Sequence, residues 1–266
     1  VSSAKTFSRN STASWKNCEG YLTERSAARA VTFDFGQTLA ELDHDFLAQR
    51  ARELGAELDP VAARAATVAA WAAYGANKAL GHARAWQEMM LEVLRGGSVR
   101  PIQGPATPDF AVGVAQALWA AQPARNLWRK PIPGMFELVA SLVAHGVPVG
   151  IISNSEGRLA ELVAELGKSA LFRVVVDSGR VGIDKPDARI FQHAAQALAV
   201  PLAEVVHVGD AWEADVIGAH RAGAHAIWFA PTDARALPPG VVACSNAVEL
   251  AHALHAFGIP AAKTRD

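Results

Sequence analysis

Two rhythms of apolar and polar positions run along the chain. Residues 31–34 (VTFD) make a short apolar, β-branched run broken at once by Gly36, the pattern of a buried strand entering a turn. Residues 45–127 differ: they are Ala-rich and carry no run that reads as a strand. Within them Trp86, Met89, Met90 and Val93 fall at i, i+3, i+4 and i+7, the stripe of an amphipathic helix. Gly96, Gly97, Pro101, Gly104, Pro105 and Pro108 then mark a loop, and a further helix is predicted over residues 110–121. From Pro133 onward strand and helix alternate. The pattern predicts a helix over 135–145 stopped by Gly146, a strand over 147–152, and a helix with Leu159, Leu162, Val163 and Leu166 on one face, stopped by Gly167. A strand over 172–176, a helix over 187–199, a strand over 204–208, a helix over 214–222 and a strand over 225–229 follow.

This alternation predicts an α/β fold: a Rossmann-like core of parallel sheet with helices on both faces, and an α-helical module inserted after the first strand. The expected division is a core of residues 29–44 and 128–258, and a helical insert of 45–127. Residues 1–28, rich in Ser, Thr, Asn, Lys and Arg without an apolar period, read as a disordered extension, and residues 259–266 as a frayed tail.

Composition narrows the function. Of 266 residues, 51% are hydrophobic and 19% charged, which suits a chain with a sizeable core. Lys and Arg number 25 against 26 Asp and Glu, so no basic surplus points to nucleic acid or to an anionic membrane as partner. No apolar run approaches the ~18 residues of a membrane span. The two cysteines, Cys18 and Cys244, cannot build a disulfide scaffold and fit a reducing setting, so a cytoplasmic location is expected.

In open parallel sheets, ligands bind beyond the carboxyl ends of the strands. Asp34-Phe35-Gly36-Gln37-Thr38 follows the first predicted strand, Ser153-Asn154-Ser155 the second, Asp184-Lys185-Pro186-Asp187 precedes a later helix, and Gly209-Asp210 follows the fourth, with Asp215 one turn on. Taken singly, each is more often a helix cap or a surface residue. Together they bring carboxylates, a hydroxyl and an ammonium to one sheet edge.

In this order, these segments resemble the four motifs of the haloacid dehalogenase superfamily, most of whose members are Mg²⁺-dependent phosphohydrolases. The resemblance covers about residues 30–230 and is carried best by IISNS, GIDKPDARIF and HVGDAWEADVIGAHRAG. It implies that Asp34 is the nucleophile that becomes an aspartyl phosphate. It also implies that Ser153 and Asn154 bind the phosphoryl oxygens, and that Lys185 neutralises charge on nucleophile and phosphate. Mg²⁺ would be held by Asp34, the carbonyl of Gly36, Asp210 and Asp215, the last by orienting its waters. The substrate would be a small phosphorylated metabolite, selected by the helical insert acting as a cap, with Tyr74, Asn77, Lys78, His82, Arg84 and Trp86 as candidate contacts. Trp71, Trp86, Trp119 and Trp128 read as cap core by their helical spacing. His44 reads as part of the hinge, and His207 and His225, on predicted strands, as satisfied core or edge histidines.

One departure matters. The family's motif places a second Asp two residues after the nucleophile, as general acid and base; here that residue is Gly36. Such a group is worth ~10²–10⁴ in rate. Gln37, next door, offers an amide that can place a water, but an amide is no base near neutral pH. The alternatives are therefore an impaired relative that binds a phosphate ligand without turning it over and, further off, a C–P bond hydrolase with Lys78 as Schiff-base lysine. A metal-free dehalogenase would lack the acidic pair Asp210 and Asp215.

Overall fold

The computed structural model describes residues 27–79, 84–231 and 233–260, so the expected extension up to residue 26 and the tail from 261 lie outside the described residues. The two ends are ordered closer to the termini than the sequence suggests. The Ala28 N–H donates to the Phe257 carbonyl at 2.9 Å. Ile259, read as tail, is fully buried, because it closes the last helix against the core.

Six parallel strands form one sheet, in the order β10 (Val241–Cys244), β9 (His225–Phe229), β8 (Val205–Gly209), β1 (Ala30–Phe33), β6 (Val149–Ser153) and β7 (Val174–Asp177). Their period of two sorts the side chains. Val31, Phe33, Ile151 and Val208 pack on one face with α5 (Met135–Ala144), α6 (Leu159–Glu165) and α10 (Ala247–Ala256). Ile152, Val176 and Trp228 pack on the other with α8 (Ala188–Leu198) and α9 (Gly218–Ala222). The fold is α/β and Rossmann-like, as expected. The strand–helix rhythm predicts five of the six strands; β10 and α10 go unpredicted. The helix expected over 214–222 begins instead as a π-helical turn, Trp212–Ile217, before α9. Such turns recur where a side chain must be re-aimed at a site.

Between β1 and α5 the chain builds a helical lobe. It leaves through β2 (Ala40–Leu42) and returns through β5 (Trp128–Pro131), which pair antiparallel. The lobe contains α1 (His44–Glu53), α2 (Pro60–Ala79), α3 (Ala85–Gly96) and α4 (Phe110–Ala121). It has its own apolar cluster, in which Met89, Met90, Val93 and Leu118 are buried, as the stripe on α3 predicts. The expectation that 45–127 carries no strand is corrected by one small ribbon. β3 (Ala56–Glu57) pairs with β4 (Arg100–Pro101), too short to leave an alternating pattern. No described helix is long and apolar enough to cross a membrane.

Candidate active site

The carboxyl ends of β1, β6 and β8 meet at one point. Asp34 follows β1, fixed by its backbone N–H to the Val208 carbonyl at 2.8 Å. Lys185 is buried, and its ammonium spends its three protons on Asp34 Oδ1 at 2.6 Å, Asp215 Oδ1 at 2.6 Å and the Ile152 carbonyl at 2.7 Å. Asp215, on the π-helical turn, is held further by the Ala211 N–H at 2.9 Å on Oδ2 and by His207 Nε2 at 3.3 Å on Oδ1. Gly209 admits this carboxylate: a Cβ there would lie 2.3 Å from Asp215 Cγ.

His207 is held neutral, because burial lowers its pKa. The carboxylate can only accept, so Nε2 carries the proton and Nδ1 accepts from Thr32 Oγ1 at 3.0 Å. The core role expected for His207 is thus also a supporting one for Asp215. His225 lies in β9 against Phe257, at 5.1 Å between ring centroids. His44 is the buried first residue of α1, with Nε2 on Thr67 Oγ1 at 2.8 Å.

Charge is unbalanced at this point. One carboxylate oxygen each from Asp34, Asp210 and Asp215 lie within 4.8 Å of one another, facing the single ammonium of Lys185. Burial pushes the Asp34 carboxyl above its ordinary value, against the pull of Lys185. Asp210 is pushed well above it, by burial first and then by the charges of Asp34 and Asp215. Burial would raise Asp215 too, but Lys185 and His207 hold it below the ordinary range. The same carboxylates outweigh the burial of Lys185 and hold its pKa above the usual lysine value. Hard oxygen donors in this excess suit a small divalent cation, which takes oxygen ligands at about 2.0–2.1 Å and keeps several waters.

Ser153 ends β6 and lines the same cavity as Asp34, Gly36, Asn154, Lys185, Asp210 and Asp215. The side chain of Asn154 also holds the chain in place. Its Nδ2 donates to the Lys185 carbonyl at 2.9 Å and its Oδ1 accepts the Lys185 N–H at 2.8 Å. The amide therefore pins the backbone that carries Lys185, and its second Nδ2 proton and its main chain are left to meet an anion. Asp177, which the strand–helix pattern does not single out, fixes the loop between. Its carboxylate accepts from the N–H groups of Gly157, Leu159 and Gly179 at 2.9–3.0 Å. An Asp directly after a β-branched run, ahead of Ser-Gly, is the signal for it.

The helical lobe walls one side of the cavity, of about 160 Å³, with Trp71, Tyr74, Trp86 and Trp128. Trp128 is buried in the lobe's apolar cluster and Trp71 packs against it, as the reading of both as cap core expects, and both also line the cavity. Trp71 Nε1 donates to Asp210 Oδ2 at 3.2 Å, and Trp128 lies beside Gly36, where an added Cβ would be 3.4 Å from its Cδ1 and 3.8 Å from its Nε1. Tyr74 and Trp86 line the cavity as the expected contacts do. Asn77 instead donates to Glu88 at 2.9 Å along the α2–α3 seam, and Arg84 is exposed ahead of α3, away from the cavity lining. Gln37 turns at a φ of 58° and is not among the cavity-lining residues. The side chain of Lys78 and all of His82 lie outside the described residues.

Residues 28–223 match the family of haloacid dehalogenase-like hydrolases. The chain belongs to that family. Haloacid dehalogenase-like hydrolase domain-containing protein 3 from Mus musculus is 27% identical over 222 residues, covering 80% of this chain and 86% of that protein. A phosphoserine phosphatase from Thermus thermophilus is 33% identical over 153 residues, 55% of this chain and 59% of that one. Among solved structures, the HAD-hydrolase YfnB from Bacillus subtilis, bound to magnesium, is similar with a TM-score of 0.59 at 18% identity, covering 86% of this chain and 99% of that one. The last likeness concerns the fold. The chain is thus a hydrolase of this family.

Proposed function

We propose that this chain is a Mg²⁺-dependent phosphomonoester hydrolase that works through an aspartyl phosphate on Asp34. The observation that carries the reading is the shared ammonium: Lys185 Nζ at 2.6 Å from both Asp34 and Asp215, with Asp210 completing the acidic cluster. Asp34, Asp210 and the Gly36 carbonyl would hold the ion, with Asp215 orienting its waters, and the ion would supply positive charge opposite the phosphoryl oxygens. Asp34 attacks phosphorus as the P–O bond to the leaving group breaks. Lys185 keeps one carboxylate oxygen fixed and lowers the repulsion between two anions. Ser153 Oγ and the backbone of the loop after β6 donate to the phosphoryl oxygens. Water then attacks phosphorus, the acyl phosphate P–O bond breaks, and Asp34 and inorganic phosphate return. Such transfer asks mainly for positioning and charge cancellation. The helical lobe acts as the cap that excludes water and selects a small phosphorylated substrate. The buried, unpaired Cys244 suits a reducing, cytoplasmic setting.

The test is a panel of phosphate esters with and without Mg²⁺. Turnover should vanish with a chelator, return with Mg²⁺, and fall at least ~10³-fold in Asp34→Asn. Turnover that survives either treatment overturns the reading. Gly36 favours a second reading, a phosphate-binding protein without turnover, for which tight Mg²⁺-dependent ligand binding with no hydrolysis would be the sign.

A further inference from the structure

Resting on the phosphatase reading, we infer that the leaving-group side of the cavity is built for a flat aromatic ring, so that the substrate class is the aryl- or arylmethyl-bearing phosphate monoester. Three observations meet here.

The first is the wall. Trp71 and Tyr74 stack with centroids 5.0 Å apart at 29°, Trp71 lies 5.7 Å from Trp128, and Trp128 lies 6.2 Å from Trp86. All four line the cavity above Asp34 and Gly36. Such a surface offers ring faces and edges to a planar guest, worth about 0.5–1.5 kcal/mol per aromatic pair beyond the area buried.

The second is a pair of stranded donors. Trp86 and Trp128 are 9% and 7% exposed, and the Nε1 of each is buried without an acceptor. Both nitrogens are closed to solvent, so a guest in the cavity meets indole carbon rather than a donor. Trp71, by contrast, spends its N–H on Asp210.

The third is Gly36. The indole of Trp128 fills the space beside it, and indole N–H donates a hydrogen bond but does not give up its proton. A leaving group that departs as a stabilised phenoxide needs no proton, whereas an alkoxide does. The cavity lining also points away from leaving groups with a second anionic charge: among the described residues its one cationic side chain is Lys185, already committed to Asp34 and Asp215.

The experiment separates ring shape from leaving-group basicity. Phenyl phosphate pairs a flat ring with a good leaving group, benzyl phosphate a flat ring with a poor one, and cyclohexylmethyl phosphate a puckered ring with a poor one. For the wild-type protein with Mg²⁺, KM for benzyl phosphate should be at least tenfold below that for cyclohexylmethyl phosphate, and kcat for phenyl phosphate at least a hundredfold above that for benzyl. In Trp86→Leu the KM preference should collapse to under threefold. Trp86→Phe, which keeps a ring, should retain most of it. Calorimetric binding of benzylphosphonate and cyclohexylmethylphosphonate reads the wall without turnover, and should show the same preference. Equal or better binding of the puckered phosphonate overturns the inference, even where Asp34-dependent hydrolysis proceeds. Preferential binding of the flat one with no hydrolysis of any ester supports the wall and overturns the phosphatase reading alone.

Discussion

At the residue scale, Lys185 decides how the acids live together. Its ammonium is the single cation between Asp34 and Asp215, and all of these groups are buried. Lys185→Met should lower unfolding free energy in a chelator by about 3 kcal/mol, within the range for a broken buried ion pair. Mg²⁺ should stabilise this variant more than the wild type, because the variant has more uncompensated negative charge; equal stabilisation in denaturant titrations would remove that account. The pH response follows from the same charges. Asp34 and Asp210, raised above 3.8, hold protons in the folded chain at pH values where the unfolded chain has released them. Over that window the folded state binds more protons, so their effect on stability falls as pH rises. Asp215 has the opposite sign: its contribution is present above 3.8 and is lost as pH falls through its lower folded value. Metal-free protein should therefore gain stability as pH drops from neutral toward the raised values, and Mg²⁺ should flatten the slope. A denaturant series showing stability climbing steadily with pH there, without metal, would contradict the assignment. Asp34, Ser153, Lys185, Asp210 and Asp215 were legible in the sequence because each stands just beyond a strand or at a helix start. The work of Asn154 on the Lys185 backbone, and of Trp71 on Asp210, was not, since both partners are brought together only by tertiary packing.

At the element scale, strand ends set the site's precision. β8 ends on Gly209 because the Asp215 carboxylate occupies the place of a side chain, with Oδ2 2.4 Å from an added Cβ. Gly209→Ala should displace Asp215 from Lys185 and the Ala211 N–H, cutting turnover by about 10²-fold, comparable to a 1 Å misplacement of catalytic groups. Mg²⁺ affinity, read by calorimetry, should fall with it, and an unchanged affinity would count against the placement. At the end of β1, Trp128 leaves room for a Cβ on Gly36, at an ordinary contact of 3.4 Å, and crowds what lies beyond it. Gly36→Asp should give little on benzyl phosphate while Trp128 stands, and more than tenfold in the Gly36→Asp/Trp128→Ala double variant, a gain within that of general acid catalysis. Steady-state rates on benzyl and phenyl phosphate check this, and a larger gain in the single variant would refute the steric reading. Most elements announce themselves by period, but β10 and α10 do not. α10 declares itself through its caps: Asn246 Oδ1 accepts the Glu249 N–H at 2.9 Å, and a Glu249 carboxylate oxygen accepts the Ser245 N–H at 2.8 Å. That Asn-x-x-Glu spacing was readable, whereas the two-residue ribbon of β3 and β4 is below any periodic signal.

At the scale of the whole molecule, two apolar clusters with separate memberships meet across the cavity, one under the sheet and one within the helical lobe. Trp71, packed against the lobe's cluster, reaches the acidic end of the sheet through its 3.2 Å hydrogen bond to Asp210. Trp71→Phe removes that link while keeping a ring. It should lower kcat/KM about tenfold, the scale of one hydrogen bond to a charged group, with unfolding free energy changed by less than about 1 kcal/mol. A large loss of stability instead would make Trp71 a packing residue. The ribbon of β2 and β5 has a consequence of its own. Leu42 and Trp128 are register partners, so the polypeptide enters and leaves the lobe through a single doorway. The lobe is thus a detachable excursion in the chain's path: its sequence can lengthen, shrink or be exchanged without rethreading the sheet. The indole that neighbours Gly36 stands on the doorpost, so any such exchange that spares the doorway carries the same ring into the new enclosure.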